Sequence, residues 1–216
     1  MMMNRRVLAR LGMVLVAALA AGGALVARAA DATAPDALIK QWATEVLTSI
    51  QSDKSIRSGD TAKVMALVDS KIMPNTDFER MTASAVGPAW RQATPQQKEK
   101  LQAEFKTLLV RTYAGALSQV SSDQTIYVKP LRADPGDADV VVRTEVRGSG
   151  DPIQIDYRME KTPGQGAGWK IYNFNVMGVW LVDTYRSQFA EQINKNGIDG
   201  LISSLAALNK ANAARS

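Results

Sequence analysis

Residues 139–176 read DVVVRTEVRGSGDPIQIDYRMEKTPGQGAGWKIYNFNV, and this stretch decides the fold class. Apolar and polar residues alternate through it, as is typical of β-strands with one face against a core. The alternation predicts strands over residues 139–147, 153–160 and 169–176, and a shorter strand over 125–129. Because short Gly-, Pro- and Asp-rich turns separate the runs, we expect an antiparallel, curved sheet of about four strands with one apolar face.

Helical periodicity governs the sequence on both sides of these strands. The best marked helix begins at Thr94, with Pro95 at the first helical position and Gln97 at the third, the arrangement of a capping box. This helix should run to about residue 120. Helices packed on an antiparallel sheet make an α+β domain. Further helices are predicted at residues 35–50, 64–72, 77–87, 179–197 and 198–208.

The first 29 residues are predicted to be a signal peptide rather than part of the fold. Arg5, Arg6 and Arg10 precede an apolar, Ala-rich run, and Ala27-Arg28-Ala29 fits a cleavage site. The run is short and interrupted by glycines, which favours cleavage over a membrane anchor. Sec and twin-arginine export both remain open, and either route would deliver the protein to the periplasm.

The remaining sequence suits one domain over residues 30–208, followed by a flexible tail over 209–216. The chain contains no Cys and no His. Ser-His-Asp and Cys-His nucleophile arrangements are therefore excluded, as are Cys/His zinc sites. Four positive charges and no acid lie in residues 1–29, so the net charge of +5 falls to +1 without them. That balance argues against general nucleic-acid binding.

Two blocks of the sequence carry a resemblance to a known family. The first is PNTDFERMTASAVGPAWRQATPQQKEKLQAEFKTLLVRTYAGAL at residues 74–117. The second is GVWLVDTYRSQF at 178–189, followed by GIDGLISSL at 197–205. They resemble the MlaC family of periplasmic phospholipid-binding proteins, also called the toluene-tolerance auxiliary family. The matching positions of the first block, before its long helix, are Asp77, Phe78, Met81, Val86, Gly87, Trp90, Arg91, Thr94 and Pro95.

The resemblance implies a fold, a ligand and partners. The fold would be cone-like and NTF2-like, with the acyl chains of a phospholipid held in an apolar cavity between sheet and helices. The protein would carry this lipid without catalysis, cofactor or metal. Its implied partners are an inner-membrane ABC transporter with an MCE-domain protein and an outer-membrane lipoprotein–porin complex. Together they would maintain the lipid asymmetry of the outer membrane.

Large apolar residues of the predicted sheet and helices are the candidates for contact with the acyl chains. Periodicity does not separate a pocket wall from a packed core, so each residue alone is more typical of a core. Under the resemblance, Tyr113, Tyr157 and residues 179–182 are the best candidates, because a tyrosine ring suits the mouth of a cavity. The full set is Trp90, Phe105, Leu109, Tyr113, Val142, Ile155, Tyr157, Tyr172, Val179, Leu181 and Val182.

Two other functions remain open. One is an enzyme on an NTF2-like scaffold, such as an isomerase or dehydratase that uses Asp and Tyr in a pocket. Alternation places Asp156 on the opposite face from Tyr157 and predicts that it faces solvent, which makes it a poor catalytic base. The other is a binder of a different hydrophobic small molecule, which would use the same pocket.

Overall fold

The computed structural model describes residues 33–134 and 136–214, and the predicted signal peptide lies outside them. The described residues form an α+β domain, which confirms the predicted fold class. Short π- and 3₁₀-helical turns lie between several helices, among them a π-helical turn at Val68–Ile72. The α-helices of the described part are α1 (Pro35–Ser52), α2 (Lys54–Arg57), α3 (Thr61–Leu67), α4 (Phe78–Val86), α5 (Pro95–Ala114) and α6 (Leu181–Ala213).

Helix α5 begins with the capping box that the sequence predicts. The Thr94 hydroxyl accepts a hydrogen bond from the Gln97 backbone N–H at 3.2 Å, and the Gln97 side chain accepts one from the Thr94 N–H at 2.9 Å. Two otherwise unpaired donors at the start of the helix are thereby satisfied. The α-helix ends at Ala114, and a 3₁₀ turn continues it to Gln119.

The strands of the described residues form one antiparallel sheet in chain order, from β1 to β5. The predicted bounds of the second and fourth strands are confirmed, and those of the first and third are wrong by one residue. An irregularity between Arg158 and Met159 shifts the register of β3 against β4. The strands are β1 (Thr125–Val128), β2 (Asp139–Arg147), β3 (Ile153–Lys161), β4 (Trp169–Val176) and β5 (Val179–Trp180).

Strand β5 was not predicted. Met177 and Gly178 both have positive φ, at 52° and 89°, and turn the chain back so that Val179 pairs with Val176. A two-residue loop with positive φ at both positions is the hairpin turn that matches strand twist. Two paired residues are too few to produce an alternating pattern, so the predicted helix start at Val179 is wrong by two residues.

Helix α6 breaks where Gly197 predicts it, because that residue has a φ of 68° and a non-helical conformation. The predicted helix end at residue 208 is wrong, since the helix continues to Ala213. Asn209 is buried, and its side-chain amide donates to the Glu104 carbonyl at 2.9 Å and to the Glu104 carboxylate at 2.7 Å. These bonds hold the end of α6 on α5.

The prediction that Asp156 faces solvent is wrong, because this residue is only 4% exposed. Gln154 donates to one carboxylate oxygen at 2.8 Å, and the other oxygen has no hydrogen-bond partner among the described residues. Asn175 lies beside Asp156 in the register and is buried too, and its side chain accepts from the Gly178 N–H. Alternation separates the two faces of a strand, but it does not show whether the outer face is covered.

Three groups of buried side chains hold the helices and the sheet together. The first, which we call the helical core, joins α4, α5 and α6 around Phe105. The second packs Leu38 and Ile39 of α1 on the sheet. The third joins α1, α3 and α5 through residues such as Ile50 and Val64. Members of all three groups border a pocket that none of them fills.

Candidate functional site

A pocket of about 380 Å³ lies between the sheet and helices α1, α3 and α5. Helix α1 and the π-helical turn form one wall, and α5 forms another. Exposed residues such as Lys71 and Ala116 lie at its rim. The sheet wall consists of Ile126, Val146, Ile153, Ile155, Tyr157, Ile171, Phe174 and Val176.

The wall of this pocket is almost entirely apolar. Among the described residues that line it, the charged ones are Lys71 and Lys106, and no carboxylate is present. Asn75, Thr76 and Gln124 contribute amide and hydroxyl groups. Such a surface can hold a hydrophobic ligand by burial, but it supplies no carboxylate for proton transfer.

Tyr157 lies in the sheet wall and is buried against Phe174, with ring centroids 5.7 Å apart. Burial raises the pKa of Tyr157 to about 12, although a hydrogen bond with Thr144 acts in the opposite direction. Burial also raises the pKa of Tyr113 above its ordinary value. Both phenols are therefore protonated at physiological pH.

Five of the candidate residues from the sequence come together in this pocket. Ile155 and Tyr157 lie on the sheet wall, Leu109 and Tyr113 on α5, and Leu181 at the start of α6. They approach from three separate elements, as expected for a ligand held between sheet and helices. Their contact with a ligand stays a prediction.

The other six candidates lie elsewhere. Phe105, Val142 and Val182 are buried in the core. Trp90 borders a separate surface pocket of about 350 Å³. The remaining two lie near the surface: Tyr172 donates to the Asp139 carboxylate at 2.8 Å, and Val179 is 47% exposed. Their contact with a ligand also stays a prediction, without support from their position.

Periodicity alone does not assign the helices before α4 to the site. The apolar stripe of α1 was visible in the sequence, but a stripe of this kind is more often part of a core. Only the three-dimensional packing shows that residues of α1 and of the sheet line the same pocket. The lining residues missed in this region are Ile39, Trp42, Ala43, Val46, Leu47, Ile50, Val64, Leu67, Val68, Lys71, Ile72 and Met73.

Two further features of residues 33–134 and 136–214 bear on the class of site. No three acidic, His or Cys side chains come together there as a set of metal ligands. Nor does any helix in that part combine the length and apolar character needed to cross a membrane.

Comparison with known proteins gives consistent matches. Residues 40–207 match the family model described as MlaC protein. The toluene tolerance protein ttg2D of Pseudomonas putida is 27% identical over 169 residues, which cover 78% of this chain and 77% of that protein. The intermembrane phospholipid transport system binding protein MlaC of Haemophilus influenzae is 27% identical over 185 residues, covering 84% and 85% of the two chains.

A solved structure also resembles this one closely. It is the phospholipid-binding protein of Ralstonia solanacearum in complex with a phospholipid. The two structures superpose with a TM-score of 0.77 and 46% sequence identity, over 82% of this chain and 98% of the other. The fold and its sequence therefore match a protein whose structure contains a phospholipid.

Proposed function

Because this chain belongs to the MlaC family, we propose that it binds a phospholipid and that the apolar pocket receives the acyl chains. The observation that carries the proposal is the pocket wall, which is apolar on the sheet side and on the helix side. The phospholipid in the related Ralstonia structure supports the same ligand class. Leu109, Tyr113, Ile155, Tyr157 and Leu181 are the proposed contacts.

The energetics of acyl chains suit a binding protein that encloses them. Burial of one methylene stabilises by about 0.8 kcal/mol, so two chains with roughly thirty methylenes account for on the order of 20 kcal/mol. This value is close to the ceiling of non-covalent affinity. A lipid in the pocket and a lipid in a membrane can therefore have similar free energies, and transfer in either direction needs no chemical step.

We further propose that the protein shuttles phospholipid between complexes of the inner and outer membranes. The relative from Haemophilus influenzae is named as a binding protein of an intermembrane phospholipid transport system, and this name supports the proposal. The shuttle would act in the periplasm after removal of residues 1–29. Its partners would be an ABC transporter with an MCE-domain protein and an outer-membrane lipoprotein–porin complex.

The pocket favours binding over catalysis. An isomerase or dehydratase would need a carboxylate within reach of the substrate, and no carboxylate lines this pocket among the described residues. Asp156 follows Ile155 and precedes Tyr157 on β3, so its side chain points away from the pocket face. A different hydrophobic small molecule would meet the same wall, and identification of the bound ligand separates it from a phospholipid.

The test is native mass spectrometry of the mature protein after gentle purification, followed by organic extraction of the ligand. We expect a mass increment that corresponds to a diacyl phospholipid, and the extract should contain that lipid. A clean ligand-free mass after incubation with phospholipid vesicles would contradict the proposal. Recovery of a non-lipid ligand would contradict it in favour of a small-molecule binder.

A further inference from the structure

The charged residues that line the pocket within the described part of the chain, Lys71 and Lys106, lie on adjacent helical segments. Lys71 belongs to the π-helical turn Val68–Ile72, and Lys106 lies on α5. Helical turns of the π type occur often at functional sites. The side chains are 43% and 27% exposed, so each lysine reaches from the apolar wall toward solvent. Long lysine stems cover apolar surface in this way while the ammonium group stays hydrated.

Each ammonium group is paired with an acid that does not line the pocket. Lys71 lies 3.4 Å from Glu45 of α1, and Lys106 lies 2.7 Å from Asp69 of the same π-helical turn. Hydrogen bonds from Gln41 and Lys71 lower the pKa of Glu45 below its ordinary value. Partly exposed ion pairs of this kind are weak, so an incoming anion can replace the carboxylate.

We propose that Lys71 and Lys106 form a phosphate site at the rim of the apolar pocket. The inference rests on the proposed function and deepens it by naming the part of the protein that meets the phospholipid phosphate. While the acyl chains occupy the pocket, the phosphodiester takes the place of Glu45 and Asp69 beside the two ammonium groups. Free inorganic phosphate has the same chemistry, and competition with it distinguishes a free ion from a headgroup.

The chemistry of lysine sets the ligand class. An ammonium group acts as a compact point charge with rotatable donors, and it binds phosphate without the fixed geometry of an arginine fork. The site should therefore accept any diacyl lipid that carries a phosphodiester, whatever alcohol is attached to it. It should discriminate against diacylglycerol, which has the same acyl chains and no phosphate.

In the test, the lipid-free mature protein is incubated with mixed vesicles of dioleoylphosphatidylglycerol and dioleoylglycerol. Native mass spectrometry then measures the ratio of bound phospholipid to bound diacylglycerol. Each partly exposed lysine should favour the phospholipid by about threefold, so the two lysines together should favour it by about tenfold. Lys71→Ala and Lys106→Ala should each lower the ratio by about threefold, and the double variant should bring it close to one. Lys195→Ala is the matched control, because Lys195 pairs with Glu191 at 2.6 Å outside the pocket wall.

Variants of the paired acids give a change of opposite sign. Glu45→Gln and Asp69→Asn release the lysines, so each should raise the ratio above that of the wild-type protein. A purely structural role for these ion pairs would make lysine and acid variants change the ratio in the same direction, and that result would overturn the phosphate site. An equal uptake of both lipids by the wild-type protein would also overturn it and would leave the proposed function standing. Uptake of neither lipid would instead contradict the proposed function.

Inorganic phosphate distinguishes the two sources of the anion. Acyl chains in the pocket give the phosphodiester a high effective concentration at the lysines, so millimolar phosphate should reduce the lipid ratio by less than about twofold. In the opposite outcome, millimolar phosphate abolishes the preference for phospholipid over diacylglycerol, and phosphate binds to the lipid-free protein. The lysines would then bind a free ion, and the headgroup site would be overturned.

Discussion

Helix α5 borders two apolar regions, and protein side chains fill only one of them. Toward α4 and α6, Phe105 packs against Phe78, Tyr185 and Phe189, with ring centroids 5.1 to 5.8 Å apart. One turn further along the same helix, Leu109 faces the pocket of about 380 Å³. The two regions have similar composition, so the difference lies in how far the neighbouring elements stand from α5.

Apolar space that protein side chains do not fill is costly for a fold. Atoms that line a void lose dispersion contacts on one side, and stability falls as the void grows. Helix α1 packs on the sheet through Leu38 and Ile39 and on α3 through Ile50, and Ile39 and Ile50 also line the pocket. The pocket is therefore part of the folded structure. A ligand in it would make the dispersion contacts that the lining side chains do not make with other protein atoms.

The largest expected effect compares one alanine substitution in each region. Phe105→Ala should lower the free energy of unfolding by about 3–5 kcal/mol, because the ring is fully buried and its loss leaves a cavity. Ile155 is only partly buried and borders the pocket, so Ile155→Ala should cost less, about 1 kcal/mol. Urea unfolding of the lipid-free proteins measures both values. Equal losses would show that the pocket closes when no lipid is present.

Alkaline pH offers a second comparison, through the buried phenol of the pocket wall. The pKa of Tyr157 is raised to about 12 in the folded protein, above the ordinary value of 10. As the pH rises, the unfolded chain therefore loses this proton before the folded protein does. The stabilisation that the protonated phenol contributes is complete below pH 10 and is lost as the pH rises to about 12. A shift of this size corresponds to roughly 2–3 kcal/mol.

Tyr157→Phe keeps the ring and removes the proton, so it is the matched control for this titration. Burial raises the pKa of Tyr172 to about 12 as well, and only the difference between the wild-type protein and the variant isolates Tyr157. Urea unfolding from pH 8 to pH 12 should show that the free energy of unfolding falls more steeply for the wild-type protein than for Tyr157→Phe. Parallel curves would mean that water enters the pocket and solvates the phenolate.

Enlarged side chains should affect the two regions in opposite ways. Ala85 is fully buried in the helical core, so Ala85→Leu should destabilise the protein by about 1–3 kcal/mol through overpacking. Val46 lines the pocket, so Val46→Phe should cost little stability and should reduce the lipid bound after incubation with vesicles. If Val46→Phe left lipid binding unchanged, the acyl chains would have to lie in another part of the pocket.

The sequence predicted the framework of the fold better than the division between these regions. Strand periodicity set the bounds of β2 and β4, and the capping box set the start of α5. These signals are local, since each depends on residues close together in the chain. The fifth strand escaped prediction because its pairing follows from a turn at Met177 and Gly178, where φ is positive at a residue other than glycine.

The sequence identified only part of the pocket lining, and the reason is physical. Phe105 and Leu109 are four residues apart and lie on the same stripe of one helix, yet one packs against three rings and the other borders the pocket. Periodicity gives the direction of a side chain but not the distance to what faces it. The burial of Asp156 was missed on the same ground, because alternation places it on the outer face of the sheet but does not show that this face is buried there.

The smallest predicted effect tests whether α5 serves both regions as one rigid helix. Thr94→Ala removes the cap, and the free energy of unfolding should fall by about 1 kcal/mol. Lipid occupancy should stay unchanged, because Leu109 and Tyr113 lie several turns from the cap and are held by their own packing. Gln97→Ala is the companion variant, since it removes the other half of the capping box and a 2.8 Å bond to Asp199 of α6. Loss of lipid in either variant would mean that the start of α5 moves with the pocket wall, and the two regions would then share one adjustable helix rather than a fixed one.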